Sequence, residues 1–206
     1  MKKILLLSFI FSAISCSSDI VPDSLKVCAL MEDQIEYLEE GLESNDRLLI
    51  RSNLNNYKTI NDQIVSIKSK YDENKFNKQL NSICTDGEGD ILELTRSLEE
   101  ELFSLEVQEV CDLQINNHAF FIYYYDEQND GNIERMQSFP ESFNEAISRY
   151  NRYTAKINEI RSNYNKDVFD NALINCSYYN KYDSNYYDYK ELFENLPSLF
   201  LGLMVD

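Results

Sequence analysis

Leu54, Tyr57, Ile64, Ile67, Ser69 and Tyr71 return 93 residues later as Ile147, Tyr150, Ile157, Ile160, Ser162 and Tyr164. At the same offset Phe76 falls on Phe169, and with one residue deleted Cys84 meets Cys176. Cys28 and Cys111 each stand shortly after a Ser-Leu-x-Val stretch. Spacing alone is shared by any two amphipathic helices, so the matched cysteines carry the comparison. A chain built this way contains two copies of one unit, and each copy has to bury its own apolar face.

The faces are helical. Leu25, Cys28, Met31, Ile35, Leu38 and Leu42 recur at intervals of three and four, with Glu32, Glu36, Glu39, Glu40 and Glu43 mainly on the other sides. That pattern predicts an amphipathic helix. Ser44-Asn45-Asp46 supplies turn and N-cap chemistry, and Ile50 through Tyr71 mark a second, longer helix. Phe76, Leu80 and Ile83 predict a short third one. The pattern restarts with Asp90 as the expected N-cap and continues through Leu98, Leu105, Cys111 and Phe121 as one long helix. A looser stretch from Asp126 to Phe139 follows, and Pro140 is suited to the first turn of the next helix. Only five Gly and three Pro in 206 residues argue against an all-β fold rich in tight turns.

At the start of the chain, Met1-Lys2-Lys3 precedes an apolar run from Ile4 to Ile14, the layout of a secretory signal. The run is far shorter than the roughly 20 apolar residues a membrane span needs. Its end, Ala13-Ile14-Ser15-Cys16, resembles the lipobox of bacterial lipoproteins. The resemblance covers these four residues and their setting, and Ala13 stands where Leu is usual. It implies cleavage before Cys16, acylation of that cysteine and a short tether behind it. It also implies lipid anchoring in the bacterial cell envelope, with the outer membrane favoured because Ser17-Ser18-Asp19 does not resemble an inner-membrane retention signal.

With Cys16 assigned to lipid, four cysteines remain in an exported, oxidising setting, and four allow three pairings. Helix geometry chooses among them. With a first turn near residue 45, Cys28 lies level with about residue 62 on an antiparallel second helix at 1.5 Å per residue. A reversal near residue 72 and some ten residues of third helix bring Cys84 back to that level. The same reasoning returns Cys176 to Cys111. The expected pairs are Cys28–Cys84 and Cys111–Cys176, which removes all four as thiol nucleophiles or zinc ligands. The expected fold is an all-α helical bundle of two tandem three-helix units, each stapled by a disulfide. Its segments are a signal peptide (1–15), a tether (16–23), unit 1 (24–86), unit 2 (87–176) and a Tyr-rich arm with an apolar C-terminal helix (177–206).

The formal charge is −17, and −19 once Lys2 and Lys3 leave with the signal, which disfavours nucleic acid as a partner. The single histidine, His118, falls where the repeat places Ile35 and reads as a structural residue. With no second histidine, no glycine-rich phosphate loop and no serine elbow, neither a Ser-His-Asp triad nor a His-based metal site can be assembled. Carboxylate-pair chemistry has many candidate residues and nothing to select two of them. The expectation is therefore a non-enzymatic protein.

Three segments offer binding chemistry. Asp126 to Gln137 resembles an EF-hand calcium loop, with Asp126, Gln128, Asp130 and Asn132 at ligand positions and Gly131 at the sharp turn. Gln128 is neutral and Gln137 replaces the bidentate Glu, so an Asp-Gly turn between helices accounts for the segment better and no resident cofactor is expected. Tyr178, Tyr179, Tyr182, Tyr186, Tyr187 and Tyr189 crowd one stretch suited to stacking on sugars or to a protein hot spot, the alternative being an irregular arm that simply packs across the helices. Leu192 to Val205 is apolar but too short to span a bilayer, and a helix closing the core is expected. Partners are expected to be the membrane, through the anchor, and another protein or a glycan.

Overall fold

The structure is a computed structural model that describes residues 20–84, 88–122, 140–180, 185–188, 190 and 192. The chain is all-α. Among the described residues there are six α-helices: α1 (Ile20–Leu42), α2 (Arg47–Lys68), α3 (Glu73–Leu80), α4 (Glu88–Ile122), α5 (Pro140–Arg161) and α6 (Lys166–Ala172). A 3₁₀ turn, Leu173–Asn175, follows α6. The Tyr-rich stretch, expected as an arm without regular structure, instead forms a two-stranded ribbon, β1 (Tyr178–Asn180) against β2 (Asn185–Tyr187). No helix among the described residues is long and apolar enough to cross a membrane.

The chain divides into two compact units, 1–103 and 104–206. The segments expected from the sequence meet at 86/87, shortly before α4 begins at Glu88. The first half of α4 belongs to unit 1 because its apolar side chains are spent there: Ile91, Leu98 and Leu102 are all buried. Leu98 lies so close to Gly41 of α1 that a Cβ on that glycine would meet its methyl groups at 2.8 and 2.9 Å. Helix α4 also starts two residues earlier than the expected N-cap, so Asp90 sits in its first turn, where a carboxylate favours the positive end of the helix dipole.

Unit 1 is an antiparallel α1–α2 hairpin with α3 folded back on it. Asp46 caps α2, its side chain accepting from the Leu48 N–H at 2.8 Å. The buried face of α2 is the expected one, with Ile50, Leu54, Ile60, Ile64 and Ile67 all enclosed. That of α1 is not. Leu25 is 53% exposed and Leu42 36%, while Ser24, Val27, Gln34 and Gly41 face inward with Met31 and Leu38. Polar partners across the seam explain the rotation. Gln34 donates from Nε2 to the Tyr57 carbonyl at 3.4 Å, and Asn53 from Nδ2 to Glu40 Oε2 at 3.3 Å. Hydrogen-bonded amides can be buried at small cost, and apolar periodicity cannot see them.

Cys28 is bonded to Cys84 and Cys111 to Cys176, each pair with Cα atoms 5.6 Å apart, within the range a disulfide requires. The bond in each unit ties its first helix to the chain after its third.

The repeat extends to interactions that periodicity does not encode. In unit 1 the Tyr71 hydroxyl donates to Asp23 Oδ2 at 2.7 Å, and its ring stacks on Phe76 at 5.1 Å between centroids. In unit 2 the Tyr164 hydroxyl donates to Glu106 Oε2 at 2.7 Å, and its ring stacks on Phe169 at 5.2 Å. Asp23 and Glu106 each stand five residues before the first cysteine of their unit. Directly after each tyrosine comes the N-cap of the short helix. Asp72 accepts from the Lys75 N–H, and Asn165 from the N–H groups of Asp167 and Val168. One tyrosine thus ties the reversal before the third helix to the first helix, and does so twice.

The two bonds differ in surroundings. The Asp23 side chain is 27% exposed with the Lys70 amine 3.9 Å away, whereas Glu106 has no exposed surface. Tyr71→Phe is expected to lower stability by about 0.5–1.5 kcal/mol and Tyr164→Phe by about 1.5–3 kcal/mol, because only the second takes a hydroxyl from a carboxylate shut off from water. Urea unfolding of the two variants measures this; equal losses would remove the burial argument.

Candidate interaction surfaces

Helix α1 presents one chemistry to solvent. Between Lys26 and Arg47 there is no basic side chain, and Glu32, Glu36, Glu39, Glu40 and Glu43 are all exposed. Several of them are three or four residues apart, so neighbouring carboxylates repel. The crowding is densest at the C-terminal end of the helix, the negative end of its dipole, where the last turn carries no basic residue. Both features work against the helix. A hollow of about 380 Å³ follows this row of glutamates, and a second of about 610 Å³ adjoins it. The second hollow runs from Ile35 and Glu39 of α1 to Asp90, Glu93, Leu94 and Ser97 of α4. Half-buried Ile35 and Leu94 give this groove an apolar component, and carboxylates from both helices line it.

In unit 2 the tyrosine ribbon rests on α4. Tyr178 pairs with Tyr187 and Tyr179 with Tyr186 across the antiparallel strands. The Tyr178 and Tyr187 rings stack at 6.1 Å, and both meet His118, at 6.2 and 4.1 Å between centroids. His118 is 5% exposed, an inner position as the repeat implies. Side chains alternate along a strand, and Tyr186, on the other face from Tyr187, is 62% exposed with its hydroxyl against Ser177 Oγ. Tyr182 and Tyr189 lie outside the described residues, and Tyr179 is described in its backbone only.

Cys16, the signal segment and the calcium-loop candidates Asp126, Gln128, Asp130 and Asn132 lie outside the described residues. Of the C-terminal apolar segment only Leu192 is described; it is fully buried, and its carbonyl accepts from Gln114 Nε2. Among the described residues no group of three or more His, Cys, Asp or Glu side chains is arranged to hold a metal ion.

Comparison with protein-family models, with curated proteins and with solved structures finds no match to this chain.

Proposed function

We propose that this chain is a non-enzymatic binding protein of the bacterial cell envelope, tethered through lipid on Cys16 and engaging a basic macromolecule through the acidic face of unit 1. An inhibitor or immunity protein directed against a cationic partner is the special case that suits it best. The observation that carries the reading is the row of exposed glutamates on α1, facing Asp90 and Glu93 across a groove. Like charges on one helix, at the wrong end of its dipole, are a cost to the free protein that a cationic partner converts into binding energy.

The test is capture from an envelope extract by the wild-type chain and by a Glu36→Lys/Glu39→Lys/Glu93→Lys variant. Expected is a basic partner that binds the wild type alone and elutes as salt rises, since exposed charge pairs are screened beyond about 8 Å at physiological ionic strength. An acidic partner, or binding indifferent to salt, sinks the reading. For the tether, Cys16→Ser is expected to move the protein from the membrane to the soluble fraction.

A second reading rests on the tyrosine ribbon, where Tyr186 is 62% exposed. Exposed tyrosine offers a flat, rotamer-poor surface for a sugar ring. Glycan-array binding lost in both Tyr186→Ala and Tyr187→Ala would favour a surface glycan-binding lipoprotein over the first reading.

A further inference from the structure

The two copies of the unit can be compared position by position, and in one neighbourhood they part. The seam of unit 1 uses its buried amide: Gln34, 2% exposed, donates to the Tyr57 carbonyl. At the corresponding place in unit 2 stands Asn117, one methylene shorter and 3% exposed, and its Nδ2 has no hydrogen-bond partner among the described residues. The surroundings change with it. Where unit 1 has Tyr37, Asn56 and Ile60, unit 2 has Phe120, Arg149 and Tyr153.

The Arg149 guanidinium carbon lies 4.5 Å from the centroid of Phe120 and 5.3 Å from that of Tyr153. Aromatic contact of this kind engages the flat face of a guanidinium and leaves its N–H groups, which point outward in the plane, for another partner. Arg149 Nε is buried and has no hydrogen-bond partner among the described residues. Asn117 and Phe120 are three residues apart on α4 and share a face, so the ring that meets Arg149 stands one turn from the orphan amide.

A buried N–H without an acceptor forfeits its hydration and gains nothing in return. Here two such donors occur in one neighbourhood, one of them on a cation, whereas the other copy of the unit supplies the Tyr57 carbonyl to the amide at that place. What satisfies both is an acceptor with two oxygens and a negative charge. We propose that this cluster on the α4–α5 seam of unit 2 is a binding site for a carboxylate, which accepts from the Arg149 guanidinium and from Asn117 Nδ2. The planar fork of a guanidinium matches the two oxygens of a carboxylate. The site is independent of the basic-partner reading, whose residues lie in unit 1, so either stands or falls without the other.

Two sources supply that chemistry, a sugar acid and the free end of a peptide. The experiment follows thermal unfolding of the oxidised, full chain with glucuronate, glucose, triglycine and triglycine amide. At ten times its dissociation constant, glucuronate or triglycine is expected to raise the unfolding midpoint by about 4 °C. Glucose and the amide are expected to leave it unchanged, and whichever acid acts identifies the source. Arg149→Met should abolish the shift. Asn117→Leu should abolish it too without lowering the midpoint of the free protein, since it trades an orphan donor for an apolar side chain; that variant keeps the test valid if Arg149→Met fails to fold. No shift with either acid, equal shifts with the neutral compounds, or a full shift in Asn117→Leu overturns the proposal.

Discussion

Phe169→Ala is expected to cost about 3–5 kcal/mol, the range for truncating a fully buried aromatic side chain. Phe169 has no exposed surface and stacks on Tyr164, whose hydroxyl reaches back to Glu106. Removing the ring therefore opens a cavity and also leaves the tyrosine without its support, so the reversal before α6 loosens with the core. Phe76 is 1% exposed and makes the same contacts with Tyr71 in unit 1. Phe76→Ala is thus expected to cost a similar amount. Urea unfolding of both variants, followed by far-ultraviolet circular dichroism, measures the two losses. Tolerance of alanine at one position, with a loss under about 1 kcal/mol, would show that the repeat is a likeness of sequence without a likeness of packing.

Loss of either disulfide is the other large effect. The bonds close loops with sequence separations of 56 and 65 residues. Chain-entropy reasoning assigns each about 4 kcal/mol, because cross-linking distant residues removes conformations from the unfolded chain. Cys28→Ser/Cys84→Ser and Cys111→Ser/Cys176→Ser are each expected to lower stability by that order, and dithiothreitol to do so in both units of the wild type. Peptide mapping without reductant is expected to recover Cys28 with Cys84 and Cys111 with Cys176. A Cys84–Cys111 linkage is incompatible with the structure.

Much of this was legible in the residues. The offset of 93 and the cysteine spacing carry the disulfide pairs, because helices rise by a fixed amount per residue and a staple joins only residues that return to one level. Asp46 was readable as a cap and Pro140 as a first-turn residue for equally local reasons. The inner face of α1 was not readable, since Gln34 and Gly41 are buried through a hydrogen bond and through close approach of Leu98, neither of which apolar periodicity registers. The tyrosine–carboxylate bonds did leave a signal, an acid five residues before the first cysteine of each unit, but it is visible only once the cysteine pairs are aligned. The hairpin was missed because Tyr178, Tyr179, Tyr186 and Tyr187 read as surface chemistry or as an irregular arm rather than as aromatic strand formers with Asn and Asp between them. For the acidic face the sequence located the glutamates on α1, while the groove needed Asp90 and Glu93, which come from a helix some fifty residues away.

Each cross-link is confined to its own half of the chain, and this decides what a protease can release. A cut anywhere from residue 29 to 83, or from 112 to 175, leaves both fragments joined through sulfur, and residues 123–139, which separate α4 from α5 in sequence, fall wholly inside the second interval. Only a cut between Cys84 and Cys111, or outside the outermost cysteines, sets a piece free. A chain nicked once inside each interval therefore stays a single covalent molecule until it meets a reductant.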